Sequence, residues 1–211
     1  KNIRVINAVE GAMNAVAELV IGLMLSLARE IPRADREVRN GNWIKKELMG
    51  TELRGKYLGI VGLGNIGKRL GRLARALNMN IIGYDVVPID EEFSSEVGLM
   101  KADLGTLLAS SDYVSLHVPL LDSTKHLINA EKMSTMKNTS RIINTSRGGV
   151  IDEDALYEFL KDGKLGGAAL DVFEVEPATS NKLASLPNFI STPHMGAQTK
   201  DCLLYTSPSP R

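Results

Sequence analysis

The stretch that decides the fold is residues 60–67, which read Ile-Val-Gly-Leu-Gly-Asn-Ile-Gly. Its three glycines have the spacing of a dinucleotide-binding turn: Gly62, Gly64 and Gly67. They follow an apolar run, Tyr57–Val61, that predicts a strand, and they open a pattern, Ile66–Leu77, that predicts a helix. In such a turn glycines allow a tight bend and a close approach to a pyrophosphate, and the amide groups of the helix face the phosphates. The stretch therefore favours a dinucleotide site over the alternative, an ordinary strand–helix turn.

Asp85 indicates which dinucleotide is bound. It follows the predicted strand Asn80–Tyr84 and lies 18 residues after Gly67. A carboxylate at this place accepts hydrogen bonds from the ribose hydroxyls and repels a 2′-phosphate. The next three residues, Val-Val-Pro, bring no arginine or lysine that could hold such a phosphate. The sequence therefore favours NAD over NADP, with a capping or turn aspartate as the alternative.

Composition limits the classes of function. The 211 residues carry 25 basic and 25 acidic side chains, so net charge gives no reason to expect nucleic acid or an anionic membrane as a partner. The single cysteine, Cys202, excludes an internal disulfide and suits a reducing, cytoplasmic compartment. The most apolar stretch, Leu19–Ala28, is too short to span a bilayer and predicts a buried helix.

Apolar runs and helical patterns alternate from Tyr57 onward, and the runs are short and continuous, as in a parallel sheet covered on both faces. The predicted strands are Tyr57–Val61, Asn80–Tyr84, Tyr113–His117, Arg141–Asn144, Ala168–Val172 and Phe189–Ser191. The predicted helices are Ile66–Leu77, Leu104–Ala109, Ala130–Met136 and Glu153–Lys161. This order predicts an α/β fold, a doubly wound parallel sheet of the Rossmann type.

The two ends of the chain differ from this alternation. A short strand over Ile3–Asn7 and an apolar helix over residues 15–30 precede it, and such a helix must be covered by the fold or by a partner subunit. The last residues, 201–211, include Ser-Pro-Ser-Pro, which cannot continue a helix. We expect residues 1–200 to form one domain and 201–211 to be a non-native tail left by read-through or cloning.

Two side chains at the predicted carboxyl ends of strands are suited to bind or orient a ligand, because ligands of open α/β sheets bind there. Arg147 follows a strand and precedes two glycines, and its guanidinium can hold a carboxylate in bidentate fashion. The alternative is a surface arginine in a turn. Glu176 precedes Pro177, and on its own it is most simply a solvated loop carboxylate.

His194 is the best of the three histidines for proton transfer, because it follows an apolar strand in a Pro- and Gly-containing loop that can face a ligand. His126 is expected to be exposed, and His117 to be structural or to line the cofactor. Together these residues suggest a dehydrogenase. Arg147 anchors a substrate carboxylate, His194 moves the hydroxyl proton, and Glu176 fixes the imidazole. We expect no metal site.

Several of these motifs occur together and in order, and they resemble the D-isomer-specific 2-hydroxyacid dehydrogenases over residues 1–200. The motifs are the glycine turn, Ser146–Gly149, Ala169–Phe173, Glu176-Pro177 and Thr192–His194. The resemblance implies the catalytic roles given above for Arg147, Glu176 and His194. It also implies a set of NAD-contacting residues: Gly62, Gly64, Asn65, Ile66, Gly67, Asp85, Val118, Pro119, Thr145, Arg147, Asp171, His194, Gly196 and Ala197.

The resemblance further implies partners and a substrate. In the family the helix that starts near Asn14 helps to build a dimer, so a homodimer or higher homo-oligomer is expected. Family members also carry a substrate-binding lobe that this chain largely lacks. Asn7-Ala8 and His194–Thr199 most resemble members that oxidise 3-phospho-D-glycerate to 3-phosphooxypyruvate. The alternatives are a glyoxylate or hydroxypyruvate reductase and an NAD-sensing corepressor-type binding protein.

Overall fold

The computed structural model describes residues 9–202. The predicted strand Ile3–Asn7 and residues 203–211 of the predicted tail lie outside this range. Asp201 and Cys202, the first two residues of that tail, continue a helical turn from Lys200, and Cys202 is buried. The amide of Cys202 donates to the hydroxyl of Thr199. The non-native origin of residues 201–211 stays a prediction.

In the described part of the chain, a parallel sheet of seven strands forms the centre of the fold, and its strand order is β3-β2-β1-β4-β5-β6-β7. The strands are β1 (Tyr57–Val61), β2 (Asn80–Tyr84), β3 (Leu99–Lys101), β4 (Tyr113–Leu116), β5 (Arg141–Asn144), β6 (Gly167–Leu170) and β7 (Phe189–Ser191). The predicted doubly wound sheet is confirmed. The chain reverses its direction of winding between β1 and β4, and in open α/β sheets this point opens a crevice for a ligand.

Within residues 9–191, seven α-helices and one 3₁₀ turn connect or flank the strands. They are α1 (Val9–Arg29), α2 (Ile31–Arg39), α3 (Asn65–Ala76), α4 (Glu91–Val97), α5 (Leu104–Ser110), α6 (Ala130–Ser134), α7 (Glu153–Lys161) and the 3₁₀ turn Lys182–Ser185. The predicted helix over residues 15–30 was too short, because α1 already begins at Val9. The sequence did not predict α2, α4 or the edge strand β3.

Two hydrophobic clusters cover the two faces of the sheet. One contains residues of α1, α3 and α4 and includes Val20, Met24 and Leu70. The other contains residues of α5, α6 and α7. Burial of each large aliphatic side chain stabilises the fold by about 1.5–3 kcal/mol, so both clusters hold the sheet rigid beneath the crevice.

Helix α1 is the one described helix that is long and apolar enough, over Ala12–Arg29, to cross a membrane. The core helix of a folded domain can have the same length and composition. Here Ala17, Val20 and Met24 are fully buried in the cluster beside the sheet. We interpret α1 as a core helix with one face left open.

Candidate cofactor site and catalytic pair

The glycine turn joins β1 to α3 as the sequence predicted. Gly62 adopts a positive φ of 94°, and a Cβ there would lie 2.5 Å from the carbonyl oxygen of His117. A Cβ on Gly67 would overlap the carbonyl oxygen of Gly62, so helix and turn are in direct backbone contact. At Gly64, by contrast, a Cβ would meet no protein atom within 4 Å. The second glycine therefore faces open space, where a pyrophosphate can approach the backbone.

Asp85 braces this turn from the end of β2. Its Oδ2 accepts a hydrogen bond of 2.6 Å from the amide of Leu63, and its Oδ1 accepts one of 3.1 Å from the amide of Val87. The half-buried carboxylate is thus fixed beside the glycines. Each carboxylate oxygen has further lone pairs that can accept from the ribose hydroxyls, as the NAD prediction requires.

A cavity of about 540 Å³ continues from the turn along the carboxyl ends of the strands. Nine of the predicted site residues line it: Ile66, Val118, Pro119, Thr145, Arg147, Asp171, His194, Gly196 and Ala197. Ala12 and Val16 of α1, His117, Ser146 and Gln198 complete the wall. The hydroxyl of Thr145 is buried and has no hydrogen-bond partner among the described residues. A polar group left unsatisfied beside a cavity of ligand size fits a bound cofactor.

His117 lies on the wall of this cavity at the end of β4. Its Nε2 lies 2.9 Å from the hydroxyl of Ser115, which is fully buried. Burial lowers the pKa of His117 to about 4. The ring is therefore neutral near pH 7, which suits a residue that lines a cofactor site and not one that transfers protons.

His194 and Glu176 form the predicted pair. Nδ1 of His194 lies 2.9 Å from Oε2 of Glu176, while Oε1 of Glu176 accepts from the amide of Phe173 at 3.0 Å. These two hydrogen bonds, with that to His194 the larger cause, lower the pKa of Glu176. An ionised carboxylate can only accept, so Nδ1 carries the proton and Nε2 presents its lone pair.

The backbone of His194 has a positive φ of 53°, and Asp171 holds this unusual loop in place. Asp171 is fully buried at the end of β6. Its Oδ1 accepts from the hydroxyl of Thr192 at 2.6 Å and from the amide of Met195 at 2.9 Å, and its Oδ2 accepts from the amide of Gly196 at 2.9 Å. Sequence reasoning gave Asp171 only an NAD contact, which stays a prediction, and missed its structural role.

Arg147 is exposed on the cavity wall, and its loop is fixed from beneath. The buried side chain of Asn144 donates to the carbonyl of Arg147 at 2.9 Å and accepts from the amide and the hydroxyl of Ser146. The role of Asn144 was not predicted, although a polar residue at the end of an apolar strand can indicate a hydrogen-bonded loop. Gly148 follows Arg147 and cannot carry a side chain, because a Cβ there would overlap the carbonyl of Phe173.

This arrangement defines a class of protein. A parallel sheet in this order, with a glycine turn and a cavity at the point where the winding reverses, is a dinucleotide-binding domain. The chain belongs to the D-isomer specific 2-hydroxyacid dehydrogenases, because the model of that family's NAD binding domain matches residues 21–196. Membership in this family and NAD as its cofactor, both expected from the sequence, are thereby confirmed.

Two similar relatives carry different names. The chain is 47% identical over 202 residues to D-3-phosphoglycerate dehydrogenase of Methanocaldococcus jannaschii, covering 95% of this chain and 38% of that protein. It is 48% identical over 204 residues to hydroxypyruvate reductase of Thermotoga maritima, covering 95% of this chain and 65% of that protein. The chain therefore spans less than two thirds of either relative.

Solved structures agree with this fold. D-mandelate dehydrogenase of Rhodotorula graminis in an apo form superposes with a TM-score of 0.89 at 37% identity, over 92% of this chain and 59% of that one. D-lactate dehydrogenase of Aquifex aeolicus, complexed with NAD and lactic acid, superposes with a TM-score of 0.86 at 35% identity, over 92% and 63%.

Proposed function

We propose that this chain is the NAD-binding part of an enzyme that oxidises a D-2-hydroxy acid, with 3-phospho-D-glycerate as the substrate and 3-phosphooxypyruvate as the product. The observation that carries the proposal is the His194–Glu176 hydrogen bond of 2.9 Å. His194 and Arg147 line one cavity, which is also lined by residues of the predicted NAD site. This combination provides a proton acceptor and a carboxylate anchor beside a cofactor.

His194 and Glu176 divide the proton chemistry between them. NAD, when bound, exchanges a hydride with the carbon that carries the hydroxyl group. Glu176 keeps the proton of His194 on Nδ1, so Nε2 accepts the hydroxyl proton during oxidation and returns it during reduction. The lowered pKa of Glu176 keeps its carboxylate ionised well into the acid range.

Arg147 supplies orientation. Its guanidinium lies at the cavity wall, and its backbone is fixed by Asn144 at 2.9 Å. A bidentate guanidinium–carboxylate contact would hold the reacting carbon of the substrate near His194. Holding the reactants in one geometry provides much of the rate of such reactions.

Two observations support a phosphorylated substrate, and one relative supports the reductase. The name D-3-phosphoglycerate dehydrogenase recurs among the relatives, and the His194–Thr199 pattern resembles those proteins. The relative named hydroxypyruvate reductase is as similar, at 48% identity, and the chain covers more of its length. A corepressor-type binding protein would keep the same catalytic residues without needing turnover, so a measurement of the reaction rate distinguishes it from the enzyme.

The test uses the full-length protein that contains this chain. Initial rates of NADH formation are measured with 3-phospho-D-glycerate, D-glycerate and glycolate, and the reverse reaction with hydroxypyruvate and glyoxylate. The highest kcat/KM for 3-phospho-D-glycerate supports the proposal and a place in serine synthesis. The highest value for hydroxypyruvate or glyoxylate supports the reductase, and turnover of none of these acids supports the binding protein.

The length of the relatives bears on the isolated chain. The chain spans 38% of one relative and 65% of another. We infer from the family resemblance that residues that contact the substrate phosphate lie largely in a separate lobe. We propose that the 211-residue chain binds NAD but oxidises 3-phospho-D-glycerate slowly or not at all.

We also propose a cytoplasmic location, which suits a chain with one cysteine.

We further propose that the protein is a homodimer built around α1 and the segment that follows it. Four large apolar side chains there are 49–84% exposed: Ile31, Val38, Trp43 and Met49. Exposed apolar patches that contain Trp and Met are typical of protein interfaces. Sedimentation velocity should give a dimer for the wild type and a larger monomer fraction for Trp43→Ala, while a monomeric wild type would contradict the proposal.

A further inference from the structure

A second histidine–carboxylate pair lies outside the cofactor cavity and has no role in the chemistry described above. Nε2 of His126 lies 3.1 Å from Oε1 of Glu174, and both side chains are 37% exposed. Exposed ion pairs of this kind contribute about 0–1 kcal/mol to stability. What distinguishes this pair is its position, since Glu174 lies two residues before Glu176 in the same loop.

Glu174 also binds the first turn of α7. Its Oε1 accepts from the amide of Glu153 at 3.3 Å, and its own amide donates to Oε1 of Glu153 at 2.6 Å. A carboxylate at the start of a helix interacts favourably with the helix dipole. Oε2 of Glu153 accepts from the side chain of Asn181 at 2.7 Å, so both ends of the loop 173–181 are attached to α7.

His126 connects the same group to the loop that carries Arg147. Its amide donates to the carbonyl of Gly149 at 2.8 Å. The preceding residue, Gly148, lies against the backbone of Phe173, the residue just before Glu174. The Arg147 loop and the Glu176 loop are thus joined at two points, once by backbone packing and once through His126 and Glu174.

We propose that Glu174 is a positioning residue: through His126 and the first amide of α7, it holds Glu176 and Arg147 in a fixed relation. Arg147 orients the substrate and Glu176 orients His194, so a shift of one loop against the other misplaces the proton acceptor. This inference rests on the function proposed above.

Two substitutions of Glu174 can be compared, because a single oxygen, Oε1, receives the hydrogen bonds from Nε2 of His126 and from the amide of Glu153. Glu174→Gln keeps that oxygen, whereas Glu174→Ala removes it. Glu131→Ala is the matched control, since Glu131 is an exposed carboxylate on α6 beside Lys132. In the full-length protein, Glu174→Ala should lower kcat by about 10- to 100-fold, a loss typical of small misplacements. Glu174→Gln should restore kcat, and Glu131→Ala should leave it unchanged.

A second readout does not depend on turnover. The chain has three histidines, so the ring signals of His194 can be followed by NMR in the 211-residue chain. Glu174→Ala should shift or broaden the Nδ1 proton of His194, and Glu174→Gln should restore it. If the wild type oxidises no D-2-hydroxy acid, the proposed function fails, and the NMR comparison still decides the positioning role.

Either of two results would overturn the positioning role. One is a Glu174→Ala variant with unchanged His194 signals and wild-type kcat. The other is a loss that Glu174→Gln does not repair. His126→Asn, which tolerates the positive φ of 49° at this position, should reproduce part of the loss. Its effect should not add to that of Glu174→Ala, because both remove the same contact.

Discussion

Gly148 lies against the backbone of Phe173 with no room for a side chain between them. A Cβ at position 148 would overlap the carbonyl group of Phe173 and come within 2.8 Å of the amide of Glu174. This contact sets the separation between the loop that carries Arg147 and the loop that carries Glu176. Since neither backbone can yield cheaply, the two loops behave as one unit.

Gly148→Ala should therefore damage both the fold and the catalytic unit. Overpacking against backbone atoms costs about 1–3 kcal/mol or forces the loops apart. Denaturant unfolding of the 211-residue chain should give a lower free energy of unfolding than the wild type by about this amount. Wild-type stability in this variant would show that the loops separate easily, against our interpretation.

Gly64→Ala should have the opposite pattern, with normal stability and weak NAD binding. A Cβ at Gly64 meets no protein atom within 4 Å, so the fold accepts it, but the methyl group lies where the pyrophosphate approaches. Isothermal titration should show a Kd for NAD raised by about tenfold or more. The matched control is Gly22→Ala, since a Cβ at Gly22 of α1 also meets nothing within 4 Å. Equal NAD affinity in both variants would contradict the pyrophosphate position.

Asp85→Asn should weaken NAD binding and reduce the preference for NAD over NADP. The carboxylate loses its charge, and an amide can keep only part of the contacts to the Leu63 and Val87 amides. The hydrogen bonds that matter for NAD are those that the ribose hydroxyls donate to the Asp85 carboxylate. Hydrogen bonds to a charged group contribute about 1.5–3 kcal/mol, so their weakening should raise the Kd by about 10- to 100-fold. Titration with both dinucleotides checks this, with Asp90→Asn as the control in the same loop. An unchanged ratio of the two affinities would refute the role of Asp85.

His117 should make the protein sensitive to acid. Its pKa is about 4 in the folded chain against 6.5 for an ordinary histidine, so the unfolded chain binds the extra proton between these values. The free energy of unfolding should therefore have its full value above pH 6.5 and decrease as the pH falls from 6.5 to 4. The difference between the two pKa values corresponds to about 3 kcal/mol, and the loss is smaller than this because the ring borders an open cavity. His117→Gln should remove this part of the pH dependence, and an identical slope in the variant would contradict it.

Local sequence signals were sufficient for most of the sheet, and they pointed to residues that the structure places at the cavity, while the catalytic roles of these residues stay predictions. Continuous apolar runs predicted six of the strands, and residue chemistry at their carboxyl ends singled out Arg147 and His194. The hydrogen bond between Glu176 and His194 was predicted from the roles of the two residues and is present at 2.9 Å.

The features that were missed depend on other parts of the fold. Helix α2 buries none of its residues, so its charged sequence carried no core signal. Strand β3 has three residues at the sheet edge, with one half-buried and two exposed. The role of Asp171 in the His194 loop depends on hydrogen bonds to residues 21–25 positions later, which no local pattern reveals.

Replacement of His194 alone tests whether this residue transfers the substrate proton in an NAD-dependent dehydrogenase. His194→Asn keeps a residue that tolerates the positive φ of 53° but removes the proton acceptor. NADH formation from 3-phospho-D-glycerate is measured in the full-length protein, together with the Kd for NAD. The kcat should fall by about 10²- to 10⁴-fold while NAD affinity changes little. A variant that keeps the wild-type kcat would contradict this role of His194.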